Sequence, residues 1–171
     1  MTRTMTRALP LALALAGSVL LAGCNQNTAL GNDREAGMYP APQAAPIVGV
    51  EEALANVAVE IVKPETMSDA DIRAIGGTAD RCVFRLTEMS FPAFVYEAGG
   101  DAFIKLNGKL VPLRASGENR YMAGGLLIVT RLIDETGNAG LQMQEMIMVP
   151  PDAKDELGYR GFAQCYGTAS A

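Results

Sequence analysis

Residues 102–113 read AFIKLNGKLVPL, and this stretch decides the fold. Two short apolar runs, 102–106 and 109–113, flank Asn107-Gly108. A type I′ turn needs positive φ at both of its central residues, and Asn followed by Gly meets that need at least steric cost, so the stretch predicts a tight β-hairpin. The two-residue period continues outward from it. Upstream, residues 81–88 alternate, with Cys82, Phe84 and Leu86 on one side and Val83, Arg85 and Thr87 on the other, and 93–97 form another short strand. Downstream, strands fit residues 121–123, 126–133, 141–149 and 159–166, punctuated by Gly124-Gly125 and by the polar stretches 134–138 and 150–158. Seven or eight short antiparallel strands imply a mainly β chain, a small antiparallel β-barrel or a sandwich, and the barrel is preferred because closure leaves no strand edge exposed.

The region before the strands has a different period. Residues 47–62 (IVGVEEALANVAVEIV) place Val50, Leu54, Val57, Ala58 and Ile61 at helical spacing, with Glu51 and Glu52 near the start, which predicts an amphipathic helix ended by Pro64. Ser68-Asp69-Ala70-Asp71 has the form of a capping box opening a short helix that stops at Gly76-Gly77. Residues 47–80 are therefore expected to be a short helical brace beside a barrel domain over 81–171. Residues 24–46 are polar and rich in Ala, Gly and Pro, show neither period, and read as a tether.

Composition excludes several kinds of chemistry. The chain of 171 residues has no His, so Ser-His-Asp and Cys-His catalysis and histidine metal sites are ruled out. Its net charge of −5 argues against a nucleic-acid partner, which would call for a basic face. The glycine pairs lack the context of a phosphate-binding loop, and the acids at Asp69/Asp71, Asp134/Glu135 and Asp152/Asp155/Glu156 lack the ligand order of a calcium loop. Neither an enzyme, nor a metal site, nor a cofactor is expected. Met143, Met146 and Met148 fall in one strand and read as core filler, as do most of the aromatics.

The N-terminus carries an address. Residues 1–24 read MTRTMTRALPLALALAGSVLLAGC: a basic start with Arg3 and Arg7, then an apolar run too short and interrupted for a membrane span but suited to a secretory signal over 1–23. It ends in Leu21-Ala22-Gly23-Cys24, which resembles a bacterial lipobox. The resemblance implies cleavage before Cys24, lipid on that cysteine, and a place in the cell envelope; Asn25 at the next position leans towards the outer membrane, facing the periplasm. Cleavage would leave twelve cations against nineteen acids, a net −7. With Cys24 acylated, Cys82 and Cys165 remain, and two cysteines in an oxidising compartment are most simply a disulfide.

Cys82, the KLNGKLVPL of residues 105–113, Ser116-Gly117-Glu118-Asn119-Arg120-Tyr121 and Cys165 together resemble the membrane-bound lysozyme-inhibitor family directed at c-type lysozymes, over residues 82–166. The family consists of periplasmic lipoproteins with a small antiparallel barrel, in which a serine and a later lysine enter the enzyme's cleft and engage its catalytic carboxylates. Ser116 matches the serine, with Gly117 after it, Tyr121 matches the tyrosine with one residue inserted, and Arg131 falls at the lysine's place, keeping the charge and adding a planar fork. Leu126 to Thr130 replace the family's Phe-Trp segment. The resemblance implies binding of a basic lysozyme-type protein. The alternative left open is an envelope lipoprotein with a structural or small-ligand role and no enzyme partner.

Overall fold

The computed structural model describes residues 41–58 and 61–167. The expected signal peptide, Cys24 and the expected tether as far as residue 40 lie outside the described residues. Eight strands follow in chain order: β1 (Cys82–Arg85), β2 (Phe94–Tyr96), β3 (Asp101–Leu106), β4 (Lys109–Gly117), β5 (Arg120–Ala123), β6 (Leu126–Thr136), β7 (Gln142–Val149) and β8 (Leu157–Cys165). Each pairs antiparallel with the next, and β8 returns to β1, so the sheet closes into a barrel. The expected fold is the one observed, with eight strands and one disulfide, Cys82–Cys165.

The hairpin that anchors the sequence reading has the backbone it requires: φ is 47° at Asn107 and 68° at Gly108. Its register pairs Leu106 with Lys109 and Ile104 with Val111. Alternation then places Ala102, Ile104 and Leu106 inside the barrel and Lys105 outside. The interior is filled by Phe84, Phe94, Tyr121, Leu126, Ile128, Met146 and Met148, so two of the three clustered methionines are core filler as expected, while Met143 lies on the opposite face of β7. Phe91, by contrast with the other aromatics among the described residues, is exposed.

Among the described residues two short helices precede the strands, α1 (Val50–Ala53) and α2 (Asp69–Ala74). The expected helix over 47–62 is therefore corrected to a single turn. Asn56 takes a left-handed φ of 61°, which stops the helix, and Ile61, placed on its apolar face by the spacing, is exposed. What α1 does is close one end of the barrel: Val50 and Ala53 join the interior cluster, and Ala53 O accepts from Asn107 Nδ2 at 3.2 Å. In contrast, α2 forms as expected. Ser68 caps it, and Ser68 and Asp71 complete a reciprocal capping box. It covers the outer face of the early strands, where Met67 and Ile75 pack on Val83, Val95 and Leu110. Covered on both faces, β1 and β2 are buried almost throughout rather than alternating.

Asp71 ties this brace down. It is fully buried; its Oδ1 accepts from Ala45 N–H at 2.6 Å, and its Oδ2 accepts from Ser68 N–H at 2.7 Å and from Lys105 Nζ at 2.8 Å. The end of the expected tether is thus bonded to the domain at Ala45 and again at Pro46, whose O accepts from Leu110 N–H at 2.9 Å. Burial pushes the Asp71 carboxyl up, but the donors from Lys105, Ala45 and Ser68 outweigh it and bring its pKa from 3.8 to about 2. A carboxylate held below its unfolded value stabilises the fold above that value, and the contribution disappears as pH falls through the folded one.

The barrel closes where β8 meets β1. Cys82 and Cys165 are register partners there, followed by Val83 with Gln164 and Phe84 with Ala163. At Gly161 a Cβ would sit 2.1 Å from Arg85 O and 2.7 Å from the Phe84 ring, so only glycine lets β8 approach β1 this closely.

Two outcomes are expected. Asp71→Asn should lower the urea-unfolding free energy at neutral pH by roughly 2 kcal/mol, and the wild-type advantage should fade between pH 3.8 and about 2. Cys82→Ala/Cys165→Ala, opening a loop of 83 residues, should cost roughly 4 kcal/mol in the same measurement.

Candidate functional site: the barrel mouth

With α1 at one end, the barrel is a cup. Its open end is formed by the β2–β3 turn at Ala98-Gly99, the β4–β5 turn at Glu118-Asn119, and the adjoining parts of β6 and β7. A cavity of about 590 Å³ enters there. Beneath it, Phe94, Tyr96 and Tyr121 form a three-ring cluster with centroids 5.2 to 5.6 Å apart, which separates the mouth from the aliphatic lower core.

The polarity of the interior changes at this level. Three buried polar side chains, Tyr96, Thr130 and Gln144, line the cavity. Gln144 Nε2 donates to Tyr96 Oη at 2.8 Å, while Gln144 Oε1 is buried with no partner. A buried acceptor left unpaired costs about 1–3 kcal/mol, so the group calls for a reason. Burial pushes the Tyr96 phenol above its ordinary range, against the lowering bond from Gln144, so Tyr96 keeps its proton under physiological conditions. These residues were missed in the sequence reading. The signal was present: Gln144 shares the parity of Met146 and Met148, which places a polar side chain on the inner face of β7.

The residues singled out by sequence lie around this mouth in three different settings. Ser116 and Gly117 are exposed at a β-bulge, where the β4–β5 register shifts between Ala115 and Gly117. Arg131 is on β6 with its side chain on the outer surface, 70% exposed, paired across the strands with Glu145 on β7. Thr130 N–H donates to Asn119 O at 2.9 Å, which fixes the β4–β5 turn against the strand position just before Arg131. The bulge and the guanidinium thus belong to one end of the barrel, and neither Ser116 nor Arg131 lines the cavity. Tyr121 is inside the barrel and 1% exposed. Its hydroxyl donates to Glu97 O at 3.1 Å, and burial, with repulsion from Tyr96 and Glu97, pushes its pKa up to about 12. It positions the rim from within. Cys82 borders the cavity and its disulfide to Cys165 closes the adjoining seam; Cys24 lies outside the described residues. Among the described residues no three His, Cys, Asp or Glu side chains converge as a metal site.

Fold and site define a class: a disulfide-closed, eight-stranded β-cup with a polar-floored mouth. The model of a domain family of unknown function, DUF6692, matches residues 20–168, and the chain belongs to that family. No curated protein and no solved structure matches it.

Tyr121→Phe should lower stability by about 1 kcal/mol through loss of the bond to Glu97 O, and amide hydrogen exchange should rise locally in the β2–β3 turn.

Proposed function

We propose that the protein is a lipid-anchored envelope lipoprotein, held through Cys24 in the outer membrane and facing the periplasm, that binds a protein partner and inhibits a c-type lysozyme. The observation that carries the reading is the shared edge at the mouth: an exposed hydroxyl on the Ser116 bulge and an exposed guanidinium at Arg131, held to one end of the barrel by the Thr130–Asn119 bond. A glycosidase cleft presents two carboxylates flanking the scissile bond. A guanidinium placed between them, with a hydroxyl donating to one, makes charge-assisted hydrogen bonds to both acids and occupies the sugar's place.

The Arg131–Glu145 pair is compatible with this exchange. Exposed ion pairs contribute only about 0–1 kcal/mol, so Arg131 can trade one carboxylate for two at small cost. The net −7 expected after signal cleavage would steer a basic enzyme towards the protein, raising the association rate more than the affinity. Tyr121 contributes indirectly, by tying β5, which pairs with the bulged strand, to the β2–β3 turn across the mouth.

The test is turbidity loss of bacterial cell walls under c-type lysozyme with the purified protein added. Wild type should inhibit, and Ser116→Ala and Arg131→Ala should each weaken inhibition roughly tenfold to a hundredfold with the circular dichroism spectrum unchanged. Glu145→Ala, which frees Arg131, should inhibit at least as well as wild type. Absence of inhibition at tens of micromolar, about 6 kcal/mol of binding, rejects the reading.

A further inference from the structure

The mouth holds polar groups that the Ser116–Arg131 edge does not use. Gln144 is 2% exposed, and its Oε1 has no donor. Tyr96 Oη accepts from Gln144 Nε2 and keeps its own proton to give. Side by side, these two atoms call for a group that donates to one and accepts from the other. A carboxylate only accepts, and it would face the orphaned oxygen with like charge. An ammonium only donates; beside Gln144 it would lose its hydration to neutral groups, since the one carboxylate that borders the cavity among the described residues, Glu118, is exposed. A hydroxyl does both.

The walls narrow the choice further. Cys82, Ala98, Ala115 and Leu132 give the cavity an apolar lining, Leu132 is 43% exposed at its lip, and Glu118 is the one charged residue that borders it among the described residues. Nothing there would neutralise an anion. A volume of about 590 Å³ lies within the range of small-molecule sites. We propose that the barrel mouth binds a small uncharged amphiphile of the alcohol class, its hydroxyl seated between Gln144 Oε1 and Tyr96 Oη and its hydrocarbon part lying along Ala115 and Leu132. The site shares Gly117 with the lysozyme reading, but the two groups that reading depends on, Ser116 and Arg131, are outside the cavity.

The experiment is an NMR titration of the ¹⁵N-labelled protein with three probes of equal chain length: 1-octanol, octanoate and octylammonium. Octanol should shift the Gln144 side-chain amide and the backbone amides of Ala115 and Leu132 saturably, and the two charged probes should bind at least about tenfold more weakly. Gln144→Leu, which removes the orphaned acceptor, should weaken octanol binding about tenfold or more without lowering the thermal midpoint. Should that variant fail to fold, Tyr96→Phe, which removes the donor, reads the same loss. The proposal is overturned by an absence of saturable shifts up to the solubility of octanol, by equal affinity of the wild type for all three probes, or by octanol affinity that is unchanged by both substitutions. Because lysozyme inhibition is measured separately, failure of either result leaves the other intact.

Discussion

Everything in this protein depends on closing the ring of strands between β8 and β1. The strands are unequal: β6, β7 and β8 have 11, 8 and 9 residues, whereas β1 and β2 have 4 and 3. Short strands contribute few ladder bonds, so the side of the barrel that completes the ring is the one with least intrinsic support. Three devices are concentrated there. The disulfide joins a register pair of the seam, Gly161 lets the two backbones approach, and the α2 brace buries Val83 and Val95 on the outside. Asp71 holds that brace by gathering donors from Ala45 ahead of α1, from the cap of α2 and from β3. Without closure the cup would have no wall and the mouth no definite shape.

Closure also explains why polar groups can occupy the interior. A barrel of this size is filled by side chains, and here the aliphatic filling stops at the ring cluster of Phe94, Tyr96 and Tyr121. Above it the walls carry Thr130 and Gln144, which line the cavity. One end of the barrel is plugged by α1 through Val50 and Ala53, and the other is left open. The outer rim and the inner floor of that open end are chemically distinct: cationic and hydroxylic outside at Arg131 and Ser116, neutral and under-bonded inside at Gln144 and Tyr96.

Much of this was legible in the residues because local chemistry and global fold agree. Asn107-Gly108 dictated a turn whatever surrounded it, and the inner residues of β3 followed from parity. The capping box at Ser68 and Asp71 was equally explicit, although its carboxylate turned out to bind Lys105 and Ala45 as well, partners that sequence spacing cannot reveal. Residues 47–62 misled because their apolar positions satisfy a helical period while serving other ends: Val50 plugs the barrel, Val62 joins the core, and Ile61 faces solvent. At the site, the exposure of Ser116 and Arg131 and the burial of Tyr121 follow from strand alternation near a bulge. The orphaned oxygen of Gln144 does not, since it depends on what the opposite wall fails to supply.

The position of the disulfide has a consequence for survival among proteases. All seven connections between consecutive strands fall between Cys82 and Cys165, so every exposed turn of the barrel lies inside one covalent loop. A single cut at any of them, whether at Gly99, Asn119 or Gly140, releases no fragment. In the nicked chain one piece carries Cys82 and the other Cys165, and the bond between those sulfurs keeps them joined. It remains one molecule, free to re-form the same ring.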